Sequence, residues 1–191
     1  DDLSMIEVGM MDVGMLSSAH VPFVDTGQQG PLDWSASFEF RAESLRSFNP
    51  LPFLLQLLLE VRGLRGQGGA LYSVLAELYS NALEHGVMEL DSSLKRDAAG
   101  FSRYYRERGE RLACLEHGFV RFHLQVRGDQ QGGRLELRVE DSGKGFDVAR
   151  VLAEQERLDG FCGRGLSLVR ALSKRCAWER GGTLARAEFH W

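Results

Sequence analysis

Residues 70–88 read as one amphipathic helix, and its two faces constrain the fold more than any other stretch of the chain. Leu71, Val74, Leu75, Leu78 and Ala82 recur at helical spacing and form an apolar arc that must be buried. Along the border of that arc stand Glu77, Asn81 and His85, with Glu84 beside them. At about 100° per residue these three span an arc of about 80°. A carboxylate, an amide and an imidazole at the edge of a buried face need partners, because burying polar groups unpaired is costly. They are either the wet side of an ordinary helix or one wall of a binding site.

The second half of the chain favours the site. Residues 134–141 alternate apolar and polar with period two, the mark of a half-buried strand. The strand runs into Asp141-Ser142-Gly143-Lys144-Gly145-Phe146, where two glycines permit positive φ and close approach of another body to the backbone. A second glycine pair, Gly163-Arg164-Gly165-Leu166, opens an apolar-periodic segment through Leu168, Val169 and Leu172 that reads as a helix. Free N–H groups and the positive dipole end at such a start favour a phosphate. The spacing is neither a P-loop nor a dinucleotide fingerprint.

In this order, E-x-x-x-N on a helix, D-x-G-x-G-F after a strand and G-x-G-L before a helix, the motifs resemble the three boxes of the GHKL ATPase superfamily. The resemblance covers about residues 35–191. Within the superfamily, E-x-x-x-N-x-x-x-H is similar to the anti-sigma-factor serine kinases. The short interval 147–162 between the glycine boxes also suits them better than the long lid of a sensor kinase. The resemblance implies an α+β fold: a two-layer sandwich, with a mixed, mostly antiparallel sheet and helices on one face (the Bergerat ATP-binding fold).

It also implies roles. Asn81 would coordinate a Mg²⁺ that bridges the ATP phosphates, since Mg²⁺ is a hard cation that takes oxygen ligands. Glu77 would be the general base for the acceptor serine, or a charge that positions a magnesium-bound water. Asp141 would accept the adenine amine. Gly143, Gly145 and Phe146 would lie beneath the base, and Gly163, Arg164, Gly165 and Leu166 would serve the phosphates. His85 would contact phosphate or stabilise the helix end. The implied activity is ATP- and Mg²⁺-dependent phosphorylation of a small anti-sigma-factor antagonist in bacterial partner switching. A sigma or anti-sigma factor is a further implied partner, and family members often dimerise. The other readings are a nucleotide-dependent binding module with little turnover, a histidine-kinase-like catalytic domain, and a gyrase-type ATPase. The last needs a transducer domain; against the histidine-kinase reading, residues 1–45 show no phospho-acceptor helix pattern, and His20 there lies in linker-like sequence.

Composition agrees with a nucleotide-using signalling domain. A formal charge of −4 disfavours a general polyanion-binding role, so no nucleic-acid partner is expected. Leu51–Val61 is leucine-rich but too short for a bilayer and is interrupted by Gln56 and Glu60, so no membrane partner is expected either. Cys114, Cys162 and Cys176 have no paired spacing, which fits a reducing cytoplasm.

Along the chain, Asp1-Asp2 before a short apolar run resembles the close of metal-dependent SpoIIE-like serine phosphatases, so residues 1–8 are expected to be the tail of such a domain. Residues 9–33, with Thr26-Gly-Gln-Gln-Gly-Pro, read as a linker, and 34–191 as the ATP-binding domain. Strands are expected at 34–41, 119–127, 134–141 and 182–190, with 175–179 pairing to the last and a turn over 128–133. A helix capped by Asn49 with Pro50 in its first turn should run to about Leu64. A charged insert at about 90–117 reads as helical, because Tyr104, Tyr105, Arg108, Leu112 and Leu115 recur near helix spacing. It is either a solvated surface helix or a partner-docking or nucleotide-covering element.

Overall fold

A computed structural model describes residues 32–91, 98–129, 131–151 and 165–191. The phosphatase-like residues 1–8 and most of the expected linker lie outside these. Its last two positions, 32 and 33, belong instead to the first strand.

The element order is β1 (Leu32–Arg41), α1 (Ala42–Ser47), α2 (Leu51–Leu59), α3 (Gly68–Ser80), α4 (Ala98–Ala113), β2 (Phe119–Gly128), β3 (Gly133–Asp141), α5 (Gly165–Leu172), β4 (Arg175–Glu179) and β5 (Leu184–His190). The five strands form one sheet in the order β1-β2-β3-β5-β4. Every pairing is antiparallel, so the sheet is not mixed. Short hairpin connections account for the β2–β3 and β4–β5 pairs, whereas the β1–β2 and β3–β5 pairs are antiparallel across longer intervening segments.

Register follows the alternation. Phe122 faces Val139, Leu124 faces Leu137 and Val126 faces Leu135 across β2 and β3. Leu135 and Leu137 face Phe189 and Ala187 on β5. All of these are buried against Leu71, Val74, Leu75 and Leu78 of α3 and Leu54 and Leu58 of α2. The result is the two-layer α+β sandwich. Among the described residues the opposite sheet face carries ion pairs and no helix: Arg121 spans Glu39 on β1 and Glu140 on β3, and Arg180 also reaches Glu140.

Three elements depart from the sequence reading. The α2 helix ends at Leu59, and residues Arg62–Gln67 form a 3₁₀ segment rather than a last helical turn. Pro50, not Asn49, stands at the cap position of α2, although the Asn49 Oδ1 accepts the Leu51 N–H at 3.2 Å. The motif helix keeps α geometry only to Ser80, and Asn81–Val87 widens into a π turn. The final strand begins at Leu184, because residues 180–182 make a tight turn in which Gly181 and Gly182 take positive φ.

Candidate functional site

A cleft opens between the π turn and the edge formed by β3, β5 and β4. Asn81, His85 and Gly86 line one wall. Asp141, Gly145, Phe146, Trp178 and Gly182 line the other, over a floor of Leu78, Val139 and Ala185. The first two of the three boxes therefore meet in one place, although Asn81 and Asp141 are 60 positions apart in the chain.

The widened turn matters for this wall. In a π turn each residue advances by less than the 100° of an α-helix. His85 therefore does not continue the drift set by Glu77 and Asn81. It stays on their side and lines the cleft with Asn81. Its Nδ1 donates to the Leu90 carbonyl at 2.8 Å, which ties the end of the turn. The amide nitrogen of Asn81 is buried and has no hydrogen-bond partner among the described residues. Such an orphan at a cleft wall is the kind of group a polar ligand satisfies.

Asp141 ends β3 and bends back on its own loop. Its Oδ1 accepts the Gly143 N–H at 2.8 Å. Burial raises its pKa from 3.8 to about 6, against the lowering effect of that hydrogen bond and with a smaller push from Glu140. Glycines make this corner possible. A Cβ at Gly86 would lie 2.4 Å from Asp141 Oδ1, and one at Gly143 would lie 2.5 Å from the Gly86 carbonyl oxygen. Gly145 has φ +75°, and a Cβ there would lie 2.0 Å from the Gly181 oxygen. The Phe146 N–H donates to that same oxygen at 2.8 Å. These glycines thus let chain meet chain, closing the cleft walls on each other.

Glu77 is half-buried on α3, one turn before Asn81. Its Oε1 presses on the first residue of α5, so that a Cβ at Gly165 would sit 1.5 Å from it. Leu166 is buried in the next position. Gly163 and Arg164 lie outside the described residues. Among the described residues no cluster of three His, Cys, Asp or Glu side chains could hold a metal ion, and no helix is long and apolar enough to cross a membrane.

Sequence reasoning left Gly86, Trp178, Gly182 and Glu84 without roles. Gly86 was within the motif, and its fit to Asp141 depends on a contact that no local pattern signals. Glu84 is the one buried charged side chain among the described residues. Its Oε2 accepts Tyr104 Oη and its Oε1 accepts Arg108 Nε, both at 2.6 Å. The recurrence of Tyr104 and Arg108 on one face of the insert was the available signal.

The model of the histidine kinase-like ATPase domain matches residues 69–189, well over half of the chain. The chain belongs to that family: it is a GHKL-type, ATP-binding domain. The match starts at the first turn of α3 and runs to the end of β5, so it includes every element that lines the cleft. No curated protein matches the chain.

Proposed function

We propose that this domain is an ATP- and Mg²⁺-dependent protein serine kinase, nearest in kind to the anti-sigma-factor kinases. Its substrate is a small anti-sigma-factor antagonist, and its output is partner switching in the bacterial cytoplasm. The observation that carries the reading is the placement of Glu77. A carboxylate one helical turn from Asn81 and packed on the start of α5 has no purpose in holding adenine, but suits a base beside the transferred phosphoryl group.

Each residue then has work to do. The ionised Asp141 carboxylate is acceptor-only, so it takes the adenine amine and rejects a guanine carbonyl. Phe146 and Trp178 flank the base. Asn81 would offer its amide oxygen to Mg²⁺, which would neutralise phosphate charge. By the resemblance Gly163, Arg164, Gly165 and Leu166 would receive the phosphates, Gly165 from the first position of α5. Glu77 accepts the serine proton as the hydroxyl oxygen bonds to the γ-phosphorus and the bond to ADP breaks.

The test uses radiolabelled ATP, Mg²⁺ and a candidate antagonist, with label followed on serine. Glu77→Gln should keep ATP affinity within a few-fold and lose transfer by at least about 10²-fold. Chelation of Mg²⁺ should abolish transfer in the wild type. Equal loss of binding and transfer in the variant would make Glu77 structural. ATP binding without any transfer by the wild type would favour a binding module.

A further inference from the structure

We propose that α4, the insert helix, is a brace that sets the nucleotide wall, with Tyr104, Arg108 and Glu84 as positioning residues. The inference rests on the cleft being the ATP site. It does not depend on which group receives the phosphoryl.

A π turn is a rare geometry, and such turns gather at functional sites. Here Asn81–Val87 has one face on the cleft, through Asn81, Ala82, His85 and Gly86. The other face is gripped by α4. Tyr104 donates to Glu84 Oε2 and Arg108 to Glu84 Oε1, at the centre of the turn. Arg111 donates to the carbonyls of Met88 at 2.7 Å and Glu89 at 2.9 Å, just past its end. Tyr104 is fully buried, and its ring centroid lies 6.5 Å from that of His85.

The backbone closes the same stretch: the Met88 N–H donates to Leu83 and the Leu90 N–H to the Glu84 carbonyl. Glu84 therefore ties α4 to the turn through its side chain and ties the turn to the following loop through its main chain. A buried carboxylate needs its donors, so the turn is stable in this register only while α4 is docked. Releasing Glu84 would let Asn81 and Gly86 shift, and Gly86 has no slack against Asp141. The brace thus acts on ATP through Asn81 and Gly86 without touching it.

Calorimetric titration of ATP with Mg²⁺ tests this on the whole chain, well below each variant's melting temperature. Tyr104→Phe and Glu84→Gln should each weaken ATP at least about tenfold. Val126→Ala, in the core at the far end of β2, should lower the melting temperature comparably and change affinity less than about twofold. If the buried variants do not fold, Arg108→Ala takes their place, because Arg108 is about one-third exposed. It should weaken ATP about fivefold, and Arg108→Lys should recover most of the loss. Hydrogen exchange should quicken in residues 81–90 of the brace variants and stay slow in the sheet. Affinities equal to that of Val126→Ala would overturn the brace. Absence of ATP binding in the wild type would instead overturn the site itself.

Discussion

Asp141 carries a cost to the fold. Its carboxyl is buried enough to move its pKa from 3.8 to about 6. The unfolded chain keeps the ordinary value, so between about pH 4 and 6 the folded state binds more protons. Stability from this group is therefore present at low pH and is lost as pH rises through that window. Asparagine carries no such penalty. Asp141→Asn should melt above the wild type at pH 7 to 8, and the gap should close as pH falls below about 6. A gap constant across that range would mean that Asp141 is not held this way. The same variant should bind ATP at least about tenfold more weakly. Its carbonyl would stay on the Gly143 N–H and its amide would face the adenine amine, donor against donor. That Asn81 and Asp141 would meet was legible in the sequence, because both belong to motifs whose order was recognisable, and both line the cleft. Glu84 was not, because its meaning comes from Tyr104 and Arg108, twenty and more positions away.

The helices and strands were legible where the hydrophobic period was clean, as in β2, β3 and the apolar arc of α3. The 3₁₀ segment at Arg62–Gln67 and the π turn were not. The π turn keeps an α-like apolar pattern through Ala82 and Leu83, while Arg62–Gln67 holds one apolar side chain, Leu64, between Gly63 and Gly66, too little pattern to tell a 3₁₀ segment from the end of a helix. The glycine loops were legible as loops, but the body they admit was not. Gly145→Ala should lower stability by about 1–3 kcal/mol, because positive φ and a methyl against the Gly181 oxygen act together. Gly66→Ala is the matched comparison: nothing lies within 4 Å of a Cβ there. It should be neutral or stabilising by up to about 1 kcal/mol. Equal melting temperatures for the two variants would contradict the tight crossing of the loop after β3 with the turn before β5.

On the scale of the whole molecule, the sheet has two unlike faces. One is packed under helices. The other is a lattice of side chains in which Arg121 links three strands through Glu39 and Glu140. These groups are partly exposed, so each pair contributes little and is open to screening. Arg121→Ala should cost about 1 kcal/mol at low salt, and about half of that or less at 1 M, read from denaturant midpoints. An undiminished loss in salt would point to packing rather than charge. The alternation that made this face readable as polar did not say which carboxylate each arginine chooses, since that depends on strand order.

Of the three indoles in the chain, Trp34 lies on β1 and Trp191 packs on Gly63, Gly128 and Gly133, while Trp178 stands in the cleft wall. The protein thus carries its own optical gauge of occupancy. Light emitted by Trp178 should change as a purine slides alongside it, and the change should vanish in Trp178→Phe but survive in Trp34→Phe.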